Sequence, residues 1–108
     1  MAIAPEFSVR QLEAGDSELL LNLARACPPL DVLTPYTYWM VSHLYASTSY
    51  VLEDGARGRT AGFVMGLPLR DLVFCWQLGV LPDYRGWGGS GMLFGQLARR
   101  AVELGLTK

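Results

Sequence analysis

The stretch that most constrains this chain lies between Leu72 and Val102. An almost wholly apolar run, LVFCWQLGVL, stops at Pro82, and five glycines then crowd the residues from Arg85 to Gln96. A stripe of Leu93, Phe94, Leu97, Ala98, Ala101 and Val102 follows at helical spacing. The run, with Gln77 as its one polar side chain, predicts a strand covered on both faces. The stripe predicts an amphipathic helix with Gly105 as its C-terminal stop. Any fold for this chain must therefore carry a buried strand directly into a glycine-rich helix start.

The rest of the chain supplies the other elements. Phe7 and Val9 alternate with polar residues in FSVRQLE, a half-buried strand over Phe7 to Glu13. Asp16 is the expected N-cap of a helix carrying Leu19, Leu20, Leu23, Ala24 and Cys27, which Pro28 and Pro29 end. Tyr38, Val41, Leu44 and Tyr45 place a second helix near Tyr36 to Ala46, after Pro35. STSYVLED, the turn DGARG and TAGFVMGLP read as a β-hairpin, with a loop from Pro68 to Asp71 before the long strand. The order is β-α-α-β-β-β-α, without internal repeats.

Composition narrows the function. With 108 residues, 51% of them hydrophobic and 18% charged, the chain reads as one globular domain over residues 1–108. A net charge of −1 and scattered basic residues lack the field that draws a protein to nucleic acid. MAIAPEFSVR has no signal-peptide pattern and no apolar run approaches the roughly 20 residues that cross a bilayer, so a cytoplasmic protein without membrane partners is expected. Cys27 and Cys75 read as buried reduced thiols, and His43 as the one histidine leaves no metal site.

The glycines carry the chemical signal. A helix N-terminus exposes unpaired amides and a partial positive charge, and Gly86, Gly88 and Gly89 let a ligand's oxygens reach those amides. Arg85 adds a forked donor suited to phosphate. No Gly-Lys-Ser/Thr closes the loop, so it is not a nucleotide P-loop, and the antiparallel order before it disagrees with a dinucleotide-binding unit.

R-G-W-G-G-S after V-L-P-D-Y resembles the pyrophosphate loop of the GNAT superfamily of N-acetyltransferases, Arg/Gln-x-x-Gly-x-Gly/Ala, with Ser90 in place of the last small residue. The resemblance implies an α/β (α+β) fold, a mainly antiparallel mixed sheet flanked by helices, and acetyl-CoA as co-substrate. It assigns cofactor binding to Arg85, Gly86, Trp87, Gly88, Gly89 and Ser90, and the pantetheine arm to the backbone of Leu78, Gly79 and Val80. The serine and Gly91 are expected to loosen the loop and weaken binding.

LDVLTPYTYWM is similar to the LD-x-x-(S/T)-x-Y-x-Y segment of the L-2,4-diaminobutyrate acetyltransferases of ectoine synthesis, and FCWQLGV to their F-x-W-Q-V-A-V. This narrower resemblance implies acetyl transfer to one amine of a small diamino acid. Asp31, Thr34, Tyr36 and Trp76 become the substrate set: an anion for an ammonium, hydroxyls, and an aromatic wall. From the residues alone, Asp31 reads rather as a helix-entry residue and Trp76 as ordinary core. His43 lies inside a helix without a carboxylate partner, and no catalytic acid or base is assigned. GNAT folds continue past this last helix with a further strand, so the chain reads as truncated before the last strands. The apolar edge left by LVFCWQLGVL is then covered by more chain or by a second subunit, as in a homodimer. A shortened, non-catalytic acyl-CoA-binding or assembly module, or a GNAT enzyme acting on another small amine, is the alternative.

Overall fold

The computed structural model describes residues 4–28 and 30–106. A four-stranded antiparallel sheet runs β1 (Phe7–Gln11), β2 (Ser49–Asp54), β3 (Arg59–Leu69) and β4 (Leu72–Val80), in that spatial order. Helices α1 (Ser17–Arg25) and α2 (Pro35–Leu44) stand between β1 and β2 in the chain, and α3 (Gly89–Glu103) follows β4. The element order is the one that the sequence predicts, and so is the α+β class.

Strand alternation builds two cores. Val51, Phe63 and Met65 project from the sheet to meet Leu20, Leu23 and Ala24 of α1 and Tyr38 and Val41 of α2. Tyr50, Leu52, Ala61, Val64 and Val80 project the other way, onto Leu93 and Leu97 of α3. Each helix thus buries one stripe, and the sheet is the middle layer. Among the described residues, no helix is long and apolar enough to cross a membrane.

Several local expectations are corrected. The Asp16 carboxylate does not cap α1; it turns back to Arg10 at 2.8 and 3.1 Å and to the Glu13 N–H at 2.7 Å. Helix α1 ends at Arg25, short of Cys27 and of the prolines, of which Pro29 lies outside the described residues. The expected loop from Pro68 is a tight turn instead. Pro68 and Leu69 remain in β3, and the chain reverses at Arg70, whose φ is 52°. Strand β4 packs on both faces, through Trp76 on one and Cys75 and Leu78 on the other, but it is an edge strand among the described elements and Phe74 is 49% exposed. Its apolar character exceeds what the described layers bury.

Candidate functional site

At the junction of β4 and α3 the backbone forms a small cradle. Val80, Tyr84, Arg85, Gly86, Gly88, Gly89 and Ser90 line a cavity of about 100 Å³. Gly86 and Gly88 hold φ of 87° and 82°, in the left-handed region that glycine alone adopts at little cost. A Cβ at either position would meet nothing within 4 Å, so it is backbone conformation that demands glycine there. Gly89 is bare for another reason. Its Cβ would lie 2.5 Å from Leu52 Cδ2 and 3.2 Å from Phe7 Cε2, so it lets the start of α3 sink onto the sheet.

The first intrahelical bond of α3 joins the Met92 N–H to the Gly88 carbonyl at 3.2 Å. The amides of Gly89, Ser90 and Gly91 precede that ladder and supply the orphan donors of a helix start. Ser90 and Gly91 are helical residues rather than loop, which corrects the expectation that they loosen the turn. The cradle offers an anion aligned N–H groups and the positive end of a 15-residue helix.

A buried hub fixes this cradle to the sheet. Tyr84, fully buried, donates its hydroxyl to Asp54 at 2.8 Å. The same carboxylate accepts from Arg57 at 2.9 Å and from the Glu6 and Ala56 amides at 3.0 Å. Burial alone would push the Asp54 carboxyl up, but the four donors outweigh it and hold the pKa down at about 2. Burial and the bond to this anion push the Tyr84 phenol up. Neither residue stood out in the sequence. A signal was available: a second acidic residue closing the strand SYVLED, and a tyrosine two residues before the first glycine of the loop.

Arg85 is placed differently from a simple phosphate fork. Its Nε–H donates to the Val80 carbonyl at 3.1 Å and an Nη2–H to the Pro28 carbonyl at 2.9 Å. The guanidinium therefore ties the connector between α1 and α2 to the end of β4, and its remaining N–H groups sit on an exposed residue beside the cavity. Trp87 stands at the loop tip, 42% exposed.

The outer edge of β4 leads into the cradle. The Leu81 N–H donates to the Ala61 carbonyl at 2.8 Å, and Phe63 stands opposite Gly79. By the two-residue alternation of an antiparallel ladder, the peptide groups of Gly79 turn toward β3, while those of Leu78 and Val80 turn outward. Gly79 does something else: its Cα faces Leu30 and Cys27, where a Cβ would fall 2.8 Å from Leu30 Cδ1.

Upstream, the register slips between Met65, which faces Gln77, and Gly66, which faces Cys75. Trp76 is the extra residue of this bulge. Consequently Trp76 and Gln77 both turn to the face covered by α1 and α2, whereas Cys75 and Leu78 pack on the other. Gln77, 7% exposed, accepts the Tyr38 hydroxyl at 3.1 Å and donates to the Asp31 carbonyl at 2.7 Å. Tyr38 in turn accepts the Leu33 N–H at 3.1 Å. The two segments singled out in the sequence, LD-x-x-T-x-Y-x-Y and W-Q, are therefore in direct contact.

Among the acceptor candidates, Asp31 is exposed and forms no ion pair among the described residues, and its backbone is moored to β4 beside half-buried Trp76. Thr34 caps α2, accepting the Thr37 N–H at 3.2 Å. Tyr36 does not line the cavity of the cradle. It is 68% exposed, stacks on Trp39 with ring centroids 5.9 Å apart, and lines an open groove of about 490 Å³ with Ser17, Pro35 and Trp39. His43 stacks on Trp39 at 4.3 Å and bonds its carbonyl at 2.9 Å.

Comparison with known proteins places this geometry. Residues 36–108 match the model of the acetyltransferase (GNAT) domain family. An L-2,4-diaminobutyric acid acetyltransferase of Chromohalobacter salexigens is 35% identical over 103 residues, covering 93% of this chain and 49% of that protein. One from Vibrio parahaemolyticus is 31% identical over 94 residues, covering 84% of this chain and 51% of its own. The chain spans about half the length of these relatives. Among solved structures, the diaminobutyrate acetyltransferase EctA of Paenibacillus lautus, in complex with L-2,4-diaminobutyric acid and coenzyme A, superposes with a TM-score of 0.85 at 24% identity, over 95% of this chain and 63% of that one. The ribosomal-protein-S18-alanine N-acetyltransferase of Escherichia coli gives 0.74 at 18% identity, over 94% and 63%.

Proposed function

This chain belongs to the GNAT acetyltransferase domain family, and from that premise we propose that it serves in an enzyme moving an acetyl group from acetyl-CoA to an amine of L-2,4-diaminobutyrate. The observation that carries the reading is the cradle itself, in which two left-handed glycines and a helix start face one small cavity at the end of an open strand edge. Sequence identity above 30% to the diaminobutyrate enzymes supports the choice of acceptor.

The residues present fit the cofactor. Amides at Gly86 and from Gly88 to Gly91 hold the pyrophosphate, with Ser90 Oγ and the remaining Arg85 N–H groups as further donors. Trp87 at the loop tip belongs to the same cofactor set. The outward peptide groups of Leu78 and Val80 receive the amides of the pantetheine arm in the manner of an added strand, while Gly79 keeps the α1–α2 connector close behind them. The cofactor supplies the activated acyl thioester. Asp31 draws an ammonium group of the diamine, Trp76 walls the pocket, and Thr34 and Tyr36 complete the acceptor side. The neutral amine is thereby held near the thioester, so that orientation and strand-edge hydrogen bonding, rather than a covalent enzyme intermediate, lower the barrier.

A thiol-release assay tests the acceptor. In a polypeptide where these residues are followed by the C-terminal half of one of the matching relatives, L-2,4-diaminobutyrate is expected to outcompete ornithine and lysine by at least about tenfold in kcat/KM. One or two extra methylenes displace the second ammonium from Asp31, and each misfit is worth about 1–3 kcal/mol. Equal rates with all three amines would remove the substrate assignment and leave the family membership intact.

A further inference from the structure

We infer that Gln77 is the acceptor-positioning residue of this site, acting through Tyr38 on the segment from Asp31 to Thr34. The inference rests on the diamine-acetyltransferase reading above and adds a role to residues that touch neither cofactor nor amine.

Tyr38 is wholly buried and Gln77 is 7% exposed, so each polar atom they carry must find a partner or destabilise the fold. Their side-chain hydrogen bonds converge on one short connector. Gln77 Nε2 donates to the Asp31 carbonyl at 2.7 Å, the Tyr38 hydroxyl donates to Gln77 Oε1 at 3.1 Å, and the Leu33 N–H donates to the Tyr38 hydroxyl at 3.1 Å. The directions are mutually determined. A carbonyl only accepts, so the amide nitrogen faces Asp31; the tyrosine already accepts from Leu33, so its own hydrogen goes to the amide oxygen. Asparagine is a methylene too short for this span. Glutamate has the right shape but, when ionised, cannot donate to the carbonyl.

Leu30 and Leu33 pack the connector against the core under α1 and α2, and the Gln77 amide is its side-chain hydrogen bond to β4. Asp31 and Val32 are exposed, and Thr34 starts the next helix. Arg85 moors its other end through the Pro28 carbonyl. Because Trp76 bulges out of the ladder, Gln77 shares its face of the sheet, and the amide that grips Asp31 is the next residue after the aromatic wall. The main chain that carries the Asp31 carboxylate is thus tied by one buried amide to the residue next to Trp76. A shift of about 1 Å in such a group is enough to cost about a hundredfold in rate.

Two readouts on three variants test this. In Gln77→Met, which keeps the volume, and Gln77→Glu, which keeps the shape, the Leu33 amide of the 108-residue chain is expected to exchange with solvent about tenfold faster, although Gln77 does not touch it. Tyr38→Phe removes the acceptor of that amide directly and should show the same. In the extended enzyme, KM for L-2,4-diaminobutyrate should rise about ten- to a hundredfold in each variant, with KM for acetyl-CoA within about twofold of the parent. Equal losses for amine and acetyl-CoA, an unchanged amine KM, or unchanged Leu33 exchange would overturn the positioning role. An extended parent enzyme that acetylates no diamine would overturn the parent reading and this role with it, while accelerated Leu33 exchange would still mark the three bonds as a structural tether.

Discussion

Gly88→Asp is expected to weaken CoA binding by at least about a hundredfold while leaving the fold intact. The backbone at this position has φ of 82°, and aspartate is among the few residues that enter the left-handed region at modest cost. Its charge sits at a helix N-terminus, where an anion stabilises the helix by about 0.3–1 kcal/mol. The thermal midpoint should therefore move little. The ligand meets the opposite effect, because the carboxylate occupies the space in which a phosphate would find the amides. Two like charges about 4 Å apart repel by about 4 kcal/mol near a protein surface, and even with screening at least 2.7 kcal/mol of that, about a hundredfold, should remain. Calorimetric titration with CoA reads the effect directly. An unchanged dissociation constant would remove the cradle from the cofactor site.

Asp31→Asn is expected to raise KM for L-2,4-diaminobutyrate about ten- to a hundredfold, with little change for acetyl-CoA. The substitution removes a charge and almost nothing else. Asp31 is exposed, forms no ion pair among the described residues, and is held through its main-chain carbonyl, which the variant retains. A hydrogen bond to a charged group is worth about 1.5–3 kcal/mol. Trp76→Ala should act in the same direction on the amine, but it also costs stability, because the partly buried ring packs against the core under α1 and α2. The comparison of amine and acetyl-CoA constants separates the two effects. If Asp31→Asn leaves the amine constant unchanged, the carboxylate does not face the acceptor.

Much of this fold is legible because its elements are periodic. The stripe of Leu93 and Leu97, the alternation through β1 and the turn residues before Arg59 each state their element locally, and the observed order follows. The glycines were legible as a group, but not by role. Gly86 and Gly88 provide left-handed backbone and Gly89 provides packing room against Leu52, a distinction that depends on neighbours distant in sequence. For the same reason the Tyr84 bond to Asp54 could not be read, since its partners are 30 residues apart. The most instructive case is Gln77. Its polarity within an apolar strand is plain from the sequence, but its bonds to Asp31 and Tyr38 depend on the bulge at Trp76, which the sequence does not show. Arg85 reads from its chemistry as a phosphate ligand, yet two of its donors are already committed to the Val80 and Pro28 carbonyls.

The central claim is that coenzyme A lies with its pyrophosphate on the start of α3 and its pantetheine arm along the outer edge of β4. Backbone amide shifts recorded while CoA is titrated into the nitrogen-labelled chain test this most directly. The account expects the largest shifts at Gly86, Gly88, Gly89, Ser90 and Gly91, with a second group at the outward amides of Leu78 and Val80. Shifts confined to the groove of Tyr36 and Trp39, or to the cavity between Val9 and Gly95, with the amides of the cradle unmoved, would contradict it.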